Sequence, residues 1–176
     1  VIRATPRAYD HYAGSRWLVH AVTIVAILLL MGWLLAALQE AEERAEKLMV
    51  ELTWRNMRTG LQIAVGEALM SGRDGEIAGW EGSNPVRWLG AEPGGYRGEC
   101  TARFARELPK GAWCFDRERR ELVYRPRNDR HLRMEGAGGH EKLLRWRVAA
   151  AAQEPERQGL AGLRVESVTA YFWLEQ

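Results

Sequence analysis

The stretch WLVHAVTIVAILLLMGWLLAAL, from Trp17 to Leu38, limits what this chain can fold into more than any other feature. It carries no formally charged residue, and its strongly polar members are His20 and Thr23. At 1.5 Å per residue, about 20 apolar residues cross a hydrocarbon layer of ~30 Å. A secretory signal peptide has a shorter apolar region, about 7–15 residues, closed by a small-x-small cleavage site. Here the run is longer, and the charged segment QEAEERAEK follows without such a site. A core helix of a soluble domain would be shorter and apolar on one stripe only. The run therefore reads as a single membrane span, with Trp17 and Trp33 near its two ends as interfacial anchors.

The rest of the chain is polar. Over 176 residues the mean hydropathy is −0.35, so the hydrophobicity is concentrated in the span. Setting the first ~40 residues aside leaves enough chain for one modest core. The expected organisation is a short cytoplasmic N-terminus (1–16), the span (17–38), an extended amphipathic helix (39–75), and a periplasmic loop and β-sheet domain (76–176). Net charge is +2, from 25 basic and 23 acidic residues that are interspersed. A nucleic-acid-binding surface needs a basic face or stripe, and none is legible, so no nucleic-acid partner is expected.

Orientation rests on weak signals. Arg3, Arg7 and Arg16 precede the span, and Arg44 and Lys47 follow it, a slight bias under the positive-inside rule. Cys100 and Cys114 bound a loop containing Gly and Pro. They are either two partly buried thiols of a cytosolic domain or a disulfide, which requires an oxidising compartment such as the periplasm. The disulfide reading places the C-terminal body in the periplasm.

From Gln39 to Met70 the chain is rich in Ala, Glu, Leu, Arg and Met, all good helix formers. Glu40/Arg44 and Glu43/Lys47 are i,i+4 pairs in the favourable order. The membrane helix is expected to continue through this segment, with Gly60 as a soft point, and to stop at Ser71–Gly75. A short helix at Glu76–Trp80 and a long loop through Gly98 follow, the loop pinned by Trp88, Leu89 and Tyr96. GAWCFD and ELVYRPR read as a hairpin whose turn is Arg117–Arg120. Trp113 and Phe115 alternate with Cys114, and Leu122 and Tyr124 with Val123. A third strand is expected near Leu143–Ala149 and a fourth in GLRVESVTAYFWL, with loops at Gly136–Gly139 and Gln153–Gly159. The fold class is α+β: a long transmembrane-plus-amphipathic helix followed by a small antiparallel sheet.

Catalytic signatures are missing. There is no G-x-S-x-G, H-E-x-x-H or G-x-x-x-x-G-K-[ST], and the cysteines are not spaced C-x-x-C. His131 and His140 read as solvated loop residues, because a metal site needs further ligands nearby. His20 reads as a neutral interfacial histidine. GGYRGE (Gly94–Glu99) is not followed by the helix that a phosphate loop requires. ERRELVYRPRNDRHLR carries six Arg interrupted by acidic residues and reads as a solvated strand face. No catalytic residue, cofactor, metal or small-molecule substrate is expected, and the protein reads as non-enzymatic.

The layout resembles type IV pilins and type II secretion pseudopilins. GAWCFDRERRELVYRPR looks like the hairpin of minor pilin-like proteins, and LRVESVTAYFW like their last strand. Pilins also carry a Glu at the fifth mature position ahead of the apolar run. Here Ser15, Arg16, Trp17, Leu18 and Val19 follow Gly14, so that Glu is absent. The resemblance implies an inner-membrane-anchored protein that stays in the bilayer and contacts pilus or secretion subunits through its span and periplasmic sheet domain. Ala21, Ala26, Gly32 and Ala36 supply small residues for helix packing. The competing expectation is a membrane-tethered periplasmic ligand-binding or sensor domain unrelated to filaments.

Overall fold

The computed structural model describes residues 10–135, 142–150 and 162–174. The loops expected at Gly136–Gly139 and Gln153–Gly159, and His140, lie outside them. The chain forms two compact units, Val1–Glu42 and Glu43–Gln176.

Helix α1 runs from Asp10 to Met70. In the first unit every apolar side chain from Trp17 to Leu38 that is large is exposed, for instance Trp17, Leu29 and Trp33. The helix is long and apolar enough to cross a membrane.

In the second unit the same helix becomes one-sided. Val50, Met57, Leu61 and Ala68 are fully buried, a three-and-four spacing that puts them on one face. They pack with Trp113, Phe115, Leu122, Tyr124, Trp146 and Val148 into the main core. The helix ends at Met70. A turn leads to helix α2 (Asp74–Ile77), and 3-10 turns follow at Ala78–Trp80 and Pro85–Trp88. Trp88, Leu89 and Tyr96 pack half-buried against the main core, pinning the loop as expected.

Gly60 has a packing reason rather than being a soft point. A Cβ there would run into the backbone carbonyl of Trp88, so the missing side chain lets the 3-10 turn lie directly on α1.

The sheet is mixed where an antiparallel one is expected. Its order is β1 (Tyr96–Cys100), β2 (Ala112–Asp116), β3 (Glu121–Arg125), β5 (Leu144–Ala150), β6 (Leu163–Ser167). Strands β2, β3, β5 and β6 pair antiparallel, but β1 pairs parallel to β2. The segment between them carries the short helix α3 (Ala102–Arg106) and returns the chain in the same direction, as a parallel pair requires. The sequence disguises β1 because Gly98 within it, and Gly94 and Gly95 just before it, read as breakers. Gly98 takes φ +77°, and the pairing register shifts between Tyr96 and Glu99, as at a β-bulge.

The expected last strand is two strands. Ser167 Oγ donates to the Thr169 carbonyl (2.7 Å), and Thr169 Oγ1 accepts from the Arg145 amide (3.0 Å). The Ser167 bond is local and turns the chain, while the Thr169 bond ties the bend back to β5. After the bend, β7 (Tyr171–Trp173) pairs with β4 (Leu132–Met134) as a separate two-stranded sheet.

The alternation in the hairpin is as the sequence has it. Trp113, Phe115, Leu122 and Tyr124 face the main core. Cys114 and Val123 join Cys100, Ala105, Leu108 and Leu143 in a second cluster. The Trp113 ring stacks on Tyr124 (4.2 Å between centroids) and lies 5.4 Å from Trp146. The indole N–H groups of Trp113 and Trp173 meet no acceptor among the described residues.

Candidate functional site

Three features of the second unit bear on function: a carboxylate pair on α1, a disulfide in the sheet, and the helix surface turned away from the sheet.

The buried face of α1 begins with acids. Glu43 and Glu46 precede Val50, Thr53, Met57 and Leu61 at the same three-and-four spacing, and both are buried. Charges that deep are tolerated only with partners, and here the chain after β3 supplies them. Glu46 Oε1 accepts from the Tyr124 hydroxyl (2.7 Å) and the Arg127 amide (2.5 Å), and Oε2 from the Asn128 amide (2.9 Å). Glu43 Oε1 accepts from the His131 amide (2.9 Å), and its Oε2 lies 2.7 Å from His131 Nδ1. The two carboxylates thus fasten the β3–β4 connection to the helix.

Their protonation follows from these contacts. Burial pushes the Glu43 carboxyl up, but the hydrogen bonds from His131 and the charges of His131 and Arg130 outweigh it. The group is held below the usual carboxylate range. Burial, then the hydrogen bond and charge of Glu46, push the Tyr124 hydroxyl far up, so it stays a donor.

His131 is therefore not a solvated loop residue; it is a partner of Glu43. The signal was legible in principle, since the core stripe read backwards from Val50 lands on Glu46 and Glu43. Among the described residues, no group of three or more His, Cys, Asp or Glu is placed to hold a metal ion. His20 lies exposed in the first unit, as do Ala26 and Ala36. A Cβ at Gly32 would touch nothing within 4 Å.

Cys100 and Cys114 form a disulfide, with their Cα atoms 5.9 Å apart. The bond ties β1 to β2 on the face that α3 covers.

Opposite its core stripe, α1 carries Leu48 and Leu52, 57% and 56% exposed, with Ala45 one turn before them. A helix face meant only for water would be polar there. Charged residues flank the patch, Arg44, Glu51 and Arg55 among them.

A second surface is the groove between α1 and β7, lined by Trp54, Trp146, Tyr171 and Phe172. It is open; Trp54, Trp146 and Tyr171 pack with the main core, while Phe172 is exposed.

No protein-family model matches the chain, and no curated protein or solved structure matches it either.

Proposed function

We propose that this protein is a non-enzymatic, pilin-like or pseudopilin-like component of the bacterial inner membrane. In this reading the apolar half of α1 anchors it in the bilayer. The sheet domain lies in the periplasm, where the Cys100–Cys114 disulfide is chemically at home. The protein contacts other subunits of a type IV pilus or type II secretion-like assembly.

The observation that carries the reading is the two-sided second half of α1. One face is consumed by the sheet, while the other leaves Leu48 and Leu52 exposed on a helix that also carries the span. Two exposed leucines one turn apart, rimmed by charge, suit contact with another apolar surface. A tether with no role beyond attachment has no need of it.

The test is site-specific photocrosslinking in cells, from Ala26 in the span and from Leu48, with Arg164 on the exposed sheet edge as the control position. The expected result is an adduct from Ala26 and Leu48, identified by mass spectrometry as a protein with its own N-terminal apolar helix. Adducts with lipid alone from Ala26 and with nothing from Leu48 would overturn the proposal.

A further inference from the structure

The β2–β3 hairpin ends in the sequence RERR, and the structure gives this turn an unusual backbone. Asp116 Oδ1 accepts from the Glu118 and Arg119 amides (3.0 and 3.3 Å), which tightens the chain reversal. Arg120 then takes φ +56°, in the left-handed region. Glycine or asparagine adopts that conformation at little cost, whereas a long side chain does not. A non-glycine residue in that conformation directs attention to what its side chain touches.

The Arg120 side chain has a seat. It lies across Gly82, where a Cβ would come within 2.7 Å of Arg120 Cδ and 3.5 Å of a guanidinium nitrogen. Gly82 is itself left-handed (φ +67°), and its amide donates to the Val148 carbonyl at 2.9 Å. The seat is thus fixed to β5.

Around it runs a groove of about 520 Å³ lined by Arg119, Arg120, Arg147 and Glu81. Arg147 is already paired, its Nε 2.7 Å from Glu166. Glu81 accepts from the Ala150 amide at 3.5 Å. Arg119 and Arg120 have no ion-pair partner among the described residues. Two guanidinium groups without an ion pair among the described residues therefore line one groove beside the single Glu81 carboxylate, and the guanidinium fork matches a carboxylate in two-point geometry.

We propose that this groove docks an acidic segment of a partner protein, whose Asp or Glu carboxylates are received by Arg119 and Arg120. The groove is open to solvent along one side. A small-molecule site instead encloses most of its ligand, so an open trough suits side chains presented on a chain. The proposal does not depend on the pilin-like reading, because it concerns a surface remote in sequence from the membrane helix.

The test uses the full chain in detergent micelles and a fluorescein-labelled hexaglutamate peptide, followed by anisotropy at low salt. Arg120→Gly removes the guanidinium and suits the left-handed backbone, and an unchanged near-ultraviolet dichroism spectrum and unfolding midpoint show that a loss of binding does not come from misfolding. Combined with Arg119→Gln it is expected to weaken binding about tenfold, the sum of two exposed ion pairs. The control variant Arg103→Gln/Arg106→Gln is expected to bind as the wild type does. Binding should fall as salt rises. Three results overturn the proposal: no binding by the wild type, an equal loss in the control variant, or displacement of the peptide by an equimolar amount of inorganic phosphate. The last marks a small-anion site.

Discussion

The Glu46 carboxylate and the Tyr124 hydroxyl, seventy-eight positions apart in sequence, meet at 2.7 Å beneath the sheet. Each answers a problem the other has: a buried charge needs donors, and a buried hydroxyl needs an acceptor. Tyr124→Phe removes one of three donors and is expected to lower stability by about 1–2 kcal/mol. Glu46→Ala strands the hydroxyl and two backbone amides, for about 2–4 kcal/mol. In the double variant the losses should fall short of their sum by about 1–2 kcal/mol, the coupling between the pair. Chemical unfolding in micelles measures all three; strict additivity would mean that the two groups do not interact.

Glu43 makes the fold sensitive to acid. Its carboxyl is held below the ordinary value of 4.5 in the folded state. Its stabilising contribution is therefore fully present above about that pH and is lost as the pH falls through the depressed folded value. Glu166 has the same sign, since the Arg147 hydrogen bond outweighs its burial and lowers its pKa. The Glu43 share must be read as a difference: Glu43→Gln should flatten the fall in stability as the pH drops below the ordinary carboxylate value, relative to wild type, by less than one proton. Parallel curves for the two proteins would show that the His131 contact contributes nothing.

The two glycines of the second half of α1 should respond oppositely to alanine. Alanine is the better helix former by about 1 kcal/mol. At Gly66, where a Cβ would meet nothing within 4 Å, the substitution is expected to raise stability by about 0.5–1 kcal/mol. At Gly60 the Cβ collides with the Trp88 carbonyl, a backbone atom that cannot swing aside, and the expected change is a loss of about 1–3 kcal/mol. A thermal shift upward at both positions would mean that the loop is not seated on the helix.

Reducing the disulfide should weaken the sheet domain. Cys100 and Cys114 are 14 positions apart, and closing a loop of that size is worth about 3 kcal/mol. Cys100→Ala/Cys114→Ala should fall in denaturation midpoint by a corresponding amount, and the oxidised wild type should lose two mass units relative to its reduced form. If reductant leaves the midpoint in place, the bond is structurally idle.

The sequence shows some of this architecture directly and hides the rest for physical reasons. The exposed apolar run, the continuous helix, its stop at Met70 and the β2–β3 hairpin are local patterns, each set by residues a few positions apart. Strand β1 is different. Its one glycine, Gly98, suits a bulged edge and gives no strand signal, and its parallel pairing depends on where α3 turns the chain. The break at Ser167–Ala170 is likewise invisible to β-propensity, since Val168 and Tyr171 favour strand while Ser167 bonds the Thr169 carbonyl and Thr169 bonds the distant Arg145 amide. Acidic residues are ordinarily taken for solvent-facing ones, so Glu43 and Glu46 drop out of a search for the core even though they continue its stripe. Their partners are main-chain amides, which no composition reveals. His131 follows the polar run Asn128–Asp129–Arg130, which reads as solvent-facing and conceals its attachment.

The stacking of Trp113 on Tyr124, with Trp146 close by, gives the domain a built-in optical gauge. Trp113 and Trp146 are fully shielded from solvent, and an indole whose N–H meets no acceptor, as in Trp113, emits at short wavelength while it stays dry. Rings held at fixed angles also give strong near-ultraviolet dichroism, a signal that disappears once side-chain packing loosens even if helix and strand remain. Emission colour and dichroism together therefore separate a loosened sheet domain from an unfolded one, without any label attached to the chain.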